Sequence, residues 1–438
     1  MDVKGTSGVV PLRKVLFLVL ILCAIFSVSL SKVNDTNDQI LNAKKPQPKP
    51  AAPSRSSGHT FHFAIQGNVY PLGYYTVKLA IGNPPQLYDL DIDSGSDLTW
   101  VQSKSCKTCT PRSQYYPYNP NSNIQCKEPL CAALNRNCAP PTGPCKYKIE
   151  YADNEFCSGV LVRDFISFRL DDGSILHPQL GFGSGFDQTP SNHHHSSHIK
   201  TAGVFGLGNG KTSILSQLSS LGYIRSVFGH CLSSKGGGRL FLGDDDIKTS
   251  KTLVWTPILR SSSSSNIEHY RAGPVDLLFN GKQVVNGLEV VFDSGSTYTY
   301  LNKKAYNVLF GLINNDLGNK VQRATEDTTL AICWKGQNLF GYFKNIVLNF
   351  PKTKSQFVLT PQSYLIVSER HNTCLGILDG SMEELGDTNI IGDVSFQDKL
   401  VVYDNEKMQI GWVPDNCATS PFTNAKSLRV HHRGNILS

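Results

Sequence analysis

Residues 90–100 read LDIDSGSDLTW, and residues 290–300 read VVFDSGSTYTY. In both segments apolar residues lead into an Asp-Ser-Gly-Ser turn, and a strand-like stretch leaves it. An apolar-apolar-Gly element follows each copy later in the chain, as VFG at 204–206 and as IIG at 390–392. This internal repeat predicts two similar lobes, each of which contributes one turn.

Chance is a weak explanation for the repeat. Asp-Ser-Gly is a common turn composition, so a single copy carries little weight. At average residue usage, one D-[ST]-G-[ST] string occurs by accident in about 3% of chains of this length, and two strings in well under about 1%. The apolar residues before each turn make a coincidence rarer still.

The repeated carboxylates predict a specific chemistry. If the lobes bring Asp93 and Asp293 together, the two like charges share a proton. One carboxylate can then take a proton from a water molecule while the other protonates the scissile carbonyl oxygen, without metal or cofactor. Ser96 and Ser296 are placed to donate to the outer carboxylate oxygens, which predicts lowered carboxyl pKa values and activity at acidic pH.

Composition limits the class of protein. The chain has 438 residues, of which 40% are hydrophobic and 18% charged, with 37 Gly, 17 Tyr and 21 Phe. These values indicate a folded, strand-rich protein and exclude a peptide hormone or a coiled coil. The net charge is +7, but residues 1–58 contribute eight Lys and Arg against three Asp. The body is therefore nearly neutral, which argues against a nucleic-acid partner.

The N-terminus has the form of a targeting segment. Lys4, Arg13 and Lys14 precede the apolar run VLFLVLILCAIFSVSL at 15–30, so residues 1–31 are predicted to be a secretory signal. The run is near the lower length limit for crossing a bilayer, which leaves an uncleaved signal anchor as the alternative. Residues 32–60, rich in Pro, Lys and Ser, are predicted to be a leader or pro-segment.

Two lobes and a tail follow the leader. We expect an N-terminal lobe at 61–250, a C-terminal lobe at 251–418 and a polar tail at 419–438. Short alternating segments predict strands, among them one at Tyr74–Ile81, whereas helical spacing marks 212–221 and 303–317. Mainly β architecture with a few short helices is the expected fold class.

Twelve cysteines indicate an oxidising compartment, and eleven remain if Cys23 leaves with the signal. The spacing favours disulfides over metal. Cys106 and Cys109 could form half of a zinc site, but no second pair has the matching spacing. A histidine cluster lies in a Ser/Asn/Pro-rich stretch that is typical of a surface loop, so no metal is predicted there; its members are His193, His194, His195 and His198.

These motifs resemble those of pepsin-type aspartic endopeptidases. The resemblance rests on the two DSGS turns, on the VFG and IIG elements, and on the ending IIGDVSFQDKLVVYDNEKMQIGW at 390–412, and it covers about residues 70–418. The segment IGNPPQ that ends at Gln86, GHCLS at 229–233 and CLGIL at 374–378 are similar to the plant nucellin-like branch.

The resemblance implies a bilobal pepsin-like β fold, with one catalytic Asp per lobe at the base of a cleft that binds an extended polypeptide. Asp93 and Asp293 would be catalytic, and the dyad would be supported by Ser94, Gly95, Ser96, Ser294, Gly295 and Ser296. Tyr151 matches the tyrosine of the flap, a β-hairpin that closes over substrate. Trp100 matches a buried tryptophan behind the flap, where packing is the expected role.

Departures from the family pattern concern the cysteines. Ser103 and Ser184 stand where cysteines are expected. The resemblance implies three bridges among six cysteines, namely Cys106, Cys109, Cys126, Cys131, Cys138 and Cys145. Cys333 would pair with Cys374 and Cys231 with Cys417. Cys157 would then be unpaired at the flap tip, where oxidation could gate the cleft, although an inert thiol is the simpler interpretation.

The leading hypothesis is a monomeric aspartic endopeptidase of the secretory pathway, secreted or vacuolar, made as a zymogen whose basic leader masks the carboxylates. The first alternative is an inactive member of the fold that inhibits glycoside hydrolases. The second is a signal-anchored surface protein that binds peptide without cleaving it. No stable membrane partner is expected unless the signal is retained.

Overall fold

A computed structural model describes residues 58–418, apart from short gaps at 107, 110–113, 135–136, 153–154, 171, 190–200, 245–246, 248–251, 261–268 and 384. The signal, most of the leader, the polar tail and the histidine cluster at 193–198 lie outside the described residues. The predicted lobe boundary at 250–251 also falls in a gap and stays a prediction.

Strands dominate the described chain. The first half contains β1 Phe61–Asn68, β2 Tyr74–Ile81, β3 Gln86–Asp93, β4 Trp100–Gln102, β5 Lys146–Glu150, β6 Phe156–Arg169, β7 Ile175–Leu176, β8 Gln179–Gln188, β9 Gly203–Gly206, β10 Val227–Leu232 and β11 Gly238–Leu242. The second half contains β12 Val254–Pro257, β13 Arg271–Phe279, β14 Lys282–Phe292, β15 Thr299–Leu301, β16 Cys333–Trp334, β17 Ile346–Phe350, β18 Ser355–Leu359, β19 Leu365–Val367, β20 Thr373–Leu375, β21 Ile377–Asp379, β22 Asn389–Ile391, β23 Lys399–Asp404 and β24 Gln409–Pro414.

The helices are few and short. They are α1 Pro129–Leu134, α2 Ile214–Ser220, α3 Lys303–Leu317 and α4 Asp393–Phe396, with 3-10 turns at Pro120–Ser122, Phe340–Tyr342, Pro361–Ser363 and Gly380–Glu383. Ser213 caps α2 by accepting from the Ser216 amide, and Asn302 caps α3 by accepting from the Ala305 amide. None of the helices in the described ranges is long and apolar enough to cross a membrane.

Two large sheets form the two lobes. A fourteen-stranded sheet has the order β12-β24-β23-β10-β11-β1-β2-β3-β9-β4-β8-β6-β5, with β7 paired to β6. A seven-stranded sheet has the order β18-β17-β13-β14-β22-β15-β21, and β16, β20 and β19 form a small third sheet. Because β12, β23 and β24 extend the first sheet, the second half of the chain is tied to the first by backbone hydrogen bonds.

The same strand arrangement surrounds both Asp-Ser-Gly-Ser turns. In the first lobe β3 runs parallel to β9, β9 is antiparallel to β4, and β4 is parallel to β8. In the second lobe β14, β22, β15 and β21 repeat this order and these directions. The repeat seen in the sequence is therefore a repeat of local topology, and the prediction of a mainly β, two-lobed fold is confirmed.

Aromatic residues fill the interior where the halves of the chain meet. Phe228 on β10 stacks on Tyr403 of β23 at 4.4 Å between ring centroids, and Tyr270 packs on Tyr403 at 4.5 Å. The Tyr270 hydroxyl donates to the Leu207 carbonyl over 2.9 Å. These three rings are fully buried, so they stabilise the junction that sets the positions of the two turns.

Candidate active site

Backbone hydrogen bonds hold each Asp-Ser-Gly-Ser turn against its neighbouring strand, which is β9 in the first lobe and β22 in the second. The Leu207 amide donates to the Asp93 carbonyl over 2.7 Å, and the Gly208 amide donates to the Ser96 carbonyl over 2.8 Å. In the second lobe the Asp293 amide donates to the Ile391 carbonyl over 3.0 Å. The VFG and IIG elements therefore hold the carboxylate-bearing turns in place.

Each of the two carboxyl groups accepts two hydrogen bonds from its own turn. The Gly95 amide donates to Asp93 Oδ1 over 2.8 Å, and the Ser96 hydroxyl donates to Asp93 Oδ2. The equivalent donors to Asp293 are the Gly295 amide at 2.9 Å and the Ser296 hydroxyl at 2.8 Å. Both carboxyls are therefore oriented in the same way, each from its own lobe.

Reciprocal serine bonds join the two turns. The Ser294 amide donates to Ser94 Oγ over 2.9 Å, and the Ser94 amide donates to Ser294 Oγ over 3.1 Å. Each hydroxyl then donates across the junction over 3.1 Å, Ser94 to the Phe292 carbonyl and Ser294 to the Ile92 carbonyl. Both serines are 1% exposed, so this fully satisfied network sets the spacing of the turns.

The two carboxyl groups are in direct contact range. A β-carbon added at Gly95 would lie 2.5 Å from Asp293 Oδ1, and one added at Gly295 would overlap Asp93 Oδ1. Glycine is required at both positions because each backbone lies against the opposite carboxyl. The structure thus brings together Asp93 and Asp293, which the sequence predicted to meet.

The protonation of Asp93 differs from the expectation. Burial raises its pKa, the charge of Asp293 raises it further, and the bonds from Ser96 and Gly95 lower it by less. The hydroxyl donor is present as predicted, but the prediction of a lowered pKa is wrong for Asp93. Desolvation and a like charge outweigh the hydrogen bonds, so this carboxyl keeps its proton to higher pH than a free aspartic acid.

Tyr151 belongs to a hairpin of the first lobe. Strands β5 and β6 pair antiparallel, and the Tyr151 amide donates to the Glu155 carbonyl over 2.8 Å where the hairpin turns. The Trp100 indole Nε1 donates to the Tyr151 hydroxyl over 2.7 Å. Trp100 is fully buried and thereby anchors Tyr151, a polar role in addition to the packing that the sequence predicted.

Cys157 lies in the interior. It belongs to β6, is 1% exposed, and its Sγ lies 3.6 Å from the Tyr147 hydroxyl. Burial raises the pKa of its thiol to about 12. Cys157 is the free cysteine of the described chain, as predicted, and it lies in the β5–β6 hairpin opposite Ile149. A buried, protonated thiol is poorly suited to redox gating, so the structure favours the inert interpretation.

Five disulfides account for the other cysteines of the described residues. The pairs are Cys106–Cys109, Cys126–Cys138, Cys131–Cys145, Cys231–Cys417 and Cys333–Cys374. Ser103 and Ser184 are both fully buried, and the Ser103 amide donates to the carbonyl of Gly185, the neighbour of Ser184. Ser184 is in register with Val101 where β4 pairs with β8, so the two positions at which the resemblance leads us to expect cysteines lie on the same strand pairing.

Two further carboxyls lie near the dyad and were not predicted from the sequence. Asp91, two residues before Asp93, and Asp393, directly after the IIG element, both interact electrostatically with the paired carboxyls. A signal was available in the repeat itself, since the opposite copy has Val291 in place of Asp91 and Leu207 in place of Asp393. Both extra carboxyls therefore belong to the electrostatic environment of the dyad.

A bilobal β fold with one Asp-Ser-Gly-Ser turn per lobe, joined at a paired carboxyl site, is the architecture of pepsin-like aspartic proteases. Two family models match the two halves of this chain. The family model described as Xylanase inhibitor N-terminal matches residues 75–244, and the model described as Xylanase inhibitor C-terminal matches residues 275–414.

Aspartic proteinases of plants are among the similar proteins. An aspartic proteinase of Oryza sativa subsp. japonica is 36% identical over 385 residues, which cover 82% of this chain and 91% of the relative. Aspartic proteinase 39 of Arabidopsis thaliana is 29% identical over 379 residues, which cover 80% and 76%. The chain belongs to the plant pepsin-like aspartic protease family.

Solved structures share the fold at low identity. Basic 7S globulin from soybean matches with a TM-score of 0.65 at 17% identity, covering 82% of this chain and 98% of the globulin. Conglutin gamma from lupine seeds matches with a TM-score of 0.64 at 18% identity, covering 81% and 95%. These likenesses concern the fold alone.

Proposed function

We propose that this chain is an aspartic endopeptidase that hydrolyses peptide bonds with a water molecule activated between Asp93 and Asp293. The observation that carries the proposal is the symmetric junction of the two turns, in which each carboxyl accepts two bonds from its own lobe and the serines join the lobes. Such preorganisation suits groups that must exchange protons without moving.

The reaction follows from a pair that holds one proton. The ionised carboxylate accepts a proton from the attacking water as its oxygen bonds to the carbonyl carbon, and the protonated partner donates to the carbonyl oxygen. The tetrahedral diol then loses the amine as the C–N bond breaks: the protonated carboxyl of the pair donates to the nitrogen, and one hydroxyl of the diol gives its proton to the other carboxylate as the carbonyl re-forms. The pair ends with one proton, as it began.

Burial supports the proton sharing. The raised pKa of Asp93 allows a proton to stay on the pair in weakly acidic solution. The donors Ser96 and Ser296 point at the outer oxygens, which leaves the inner faces of the carboxyls for water and the scissile bond. We therefore expect activity at acidic pH that extends toward neutrality.

An extended polypeptide is the proposed substrate. The hairpin that carries Tyr151 belongs to the first lobe, and the bond from Trp100 holds the Tyr151 ring in one orientation. Backbone groups of an extended chain can pair with a strand edge, which makes recognition largely independent of side chains. Closure of this flap over substrate would exclude water other than the nucleophile.

The setting that we propose is the secretory pathway, with a secreted or vacuolar destination. The five disulfides of the described chain support an oxidising compartment, and the N-terminal run at 15–30 supports a signal. We propose a monomer made as a zymogen, with residues 32–60 as the leader that is removed on activation.

Proteolysis by the purified secreted protein tests the function. We expect the form that lacks the leader to cleave a denatured protein between about pH 3 and 7, and Asp93→Asn to abolish cleavage. Asp89→Asn is the matched control, because Asp89 lies on the same strand but its side chain is 46% exposed and paired with Lys78 at 2.6 Å. A folded, leader-free protein that cleaves nothing at any pH would contradict the proposal.

Inhibition of glycoside hydrolases is the second candidate, because both matching family models are described by xylanase inhibitors. The intact carboxyl pair argues against it, since an inhibitor has no need of a proton-sharing site. Xylanase activity measured with and without this protein separates the two. Inhibition that persists in Asp93→Asn, in the absence of proteolysis, would favour the inhibitor.

A further inference from the structure

The internal repeat contains a buried tyrosine in each copy. The residue after Tyr75 pairs with Asp91 on β3, and the residue after Tyr270 pairs with Val291 on β14. Asp91 and Val291 each stand two residues before the aspartate of their turn. Tyr75 and Tyr270 therefore occupy equivalent places in the two copies, and both are fully buried.

The hydroxyls of the two tyrosines have different partners. Tyr75 Oη donates to the carbonyl of Ser233, which follows β10, and accepts from Gln397 Nε2 over 3.4 Å. Tyr270 Oη donates to the carbonyl of Leu207 over 2.9 Å. Leu207 directly follows the VFG element at 204–206. Tyr270, a residue of the second lobe, thus reaches the segment that holds the catalytic turn of the first.

Leu207 links Tyr270 to the first carboxyl group. The Leu207 amide donates to the Asp93 carbonyl over 2.7 Å, and the next amide along the chain, that of Gly208, donates to the Ser96 carbonyl over 2.8 Å. The Ser96 hydroxyl in turn donates to Asp93 Oδ2. A shift of residues 207–208 would therefore move both the backbone of Asp93 and the hydroxyl that binds its carboxyl.

The backbone of Tyr270 holds the second turn. The Phe292 amide donates to the Tyr270 carbonyl over 2.9 Å, and the Phe292 carbonyl accepts from the Ser94 hydroxyl over 3.1 Å. Phe292 immediately precedes Asp293. Tyr270 is thus bonded to the main chain on both sides of the carboxyl pair, with its hydroxyl in one lobe and its carbonyl in the other.

The surroundings of Tyr270 fix its hydroxyl. Asn405 Nδ2 donates to Tyr270 Oη over 3.2 Å, so the hydroxyl hydrogen is directed to the Leu207 carbonyl. The ring packs on Tyr403 at 4.5 Å and lies 5.7 Å from the ring of Phe228. Leu207 is also fully buried, so bulk water is poorly placed to replace a lost hydroxyl donor.

We propose that Tyr270 is a positioning residue of the catalytic site, which sets the place of the Asp93 carboxyl relative to Asp293 by bonding to the main chain of both turns. The inference rests on the proposed function. The carboxyls exchange protons with water and the scissile bond, and a small misplacement of such groups costs more rate than binding. The Tyr270 hydroxyl should therefore affect kcat more than KM.

The first experiment reads the geometry and needs no activity. Tyr270→Phe removes the hydroxyl and keeps the ring. Tyr364→Phe is the matched control, because Tyr364 is also fully buried and its hydroxyl donates to the Lys344 carbonyl over 2.7 Å. Hydrogen exchange of residues 204–210, followed by mass spectrometry on the folded proteins, should be faster in Tyr270→Phe than in the wild type and unchanged in Tyr364→Phe.

The same exchange rate in Tyr270→Phe as in Tyr364→Phe would overturn the proposal, whether or not the protein is a protease. A wild type that cleaves nothing would contradict the proposed function, and the exchange rates would still test the link from Tyr270 to residues 204–210.

The second experiment measures steady-state cleavage. Tyr270→Phe should lower kcat by about tenfold or more and leave KM in place, whereas Tyr364→Phe should retain the kcat of the wild type. Equal kcat values in the two variants would overturn the positioning role and leave a purely structural one. If Tyr270→Phe fails to fold, Asn405→Ala removes the donor that orients the hydroxyl. It should lower kcat by a smaller factor, and an unchanged kcat in this variant would overturn the proposal.

Discussion

Ser94 and Ser294 are the smallest features on which the site depends. Each hydroxyl accepts an amide hydrogen from the other turn and donates to a carbonyl beyond it. The sequence could predict these serines and the two aspartates because the repeat places them in register. The repeat marks Asp91 and Asp393 only as differences between its copies, and it is the tertiary packing that buries Asp393 and brings both carboxyls into the electrostatic environment of the pair.

Ser94→Ala tests the junction. The change leaves the buried Ser294 amide without an acceptor, which costs about 1–3 kcal/mol and loosens the spacing of the carboxyls. We expect kcat to fall more than KM rises, together with a lower unfolding midpoint in denaturant. Ser94→Thr keeps the hydroxyl and should retain most activity. Equal activity of the Ala and Thr variants would show that the junction does not position the pair.

Among the secondary-structure elements, the sequence predicted the bounds of those that capping and hydrophobic periodicity define. Helix α3 begins and ends at the predicted residues 303 and 317, because a side-chain cap and an apolar face define it. Strand β2 also has its predicted bounds, Tyr74–Ile81. Strands of two or three residues, such as β16 and β21, could not be predicted, because long-range pairing rather than periodicity creates them.

The bond between Trp100 and Tyr151 allows a test of the flap. Trp100→Phe and Tyr151→Phe each remove the same hydrogen bond, whose net value is about 0.5–1.5 kcal/mol. Each should lower kcat/KM by a few-fold to about tenfold. The double variant should be little worse than the worse single one, because the bond can be lost only once. Fully additive losses would mean that the two residues act independently.

At the scale of the whole molecule, disulfides and buried titratable groups govern stability. Cys231–Cys417 joins β10 to the end of the described chain across 186 residues, whereas Cys106–Cys109 spans three. The sequence could suggest that cysteines pair, but the pairing within the dense first-lobe group depended on the fold, because several connectivities satisfy the same spacing.

The long disulfide should matter far more than the short one. Replacing Cys231 and Cys417 by Ala frees a large loop in the unfolded chain and should lower the free energy of unfolding by about 2–5 kcal/mol. Replacing Cys106 and Cys109 by Ala should lower the free energy of unfolding by clearly less, because this disulfide closes only a small loop. Denaturant unfolding of both double variants measures the difference. Equal losses would contradict a contribution that grows with loop length.

The buried side chain of His230 should contribute to the loss of stability at acidic pH. Burial lowers its pKa to about 3, below about 6.5 in an unfolded chain. The neutral ring stabilises the fold fully above the unfolded pKa, and this contribution is lost as pH falls toward 3. His230→Gln should therefore flatten the decline of the unfolding midpoint in this window. His177→Gln, at an exposed site, should not, and an unchanged acid limb in His230→Gln would refute the assignment.

Asp93 and Asp293 are proposed to act as one catalytic unit, on which the function of the whole molecule depends. The most direct measurement is the single-turnover rate of peptide cleavage at acidic pH by the wild-type protein, Asp93→Asn and Asp293→Asn, each shown to be folded. We predict cleavage by the wild type and loss of at least about 10³-fold in each variant, with no further loss in the double variant. Substantial cleavage by either single variant would contradict a shared catalytic pair.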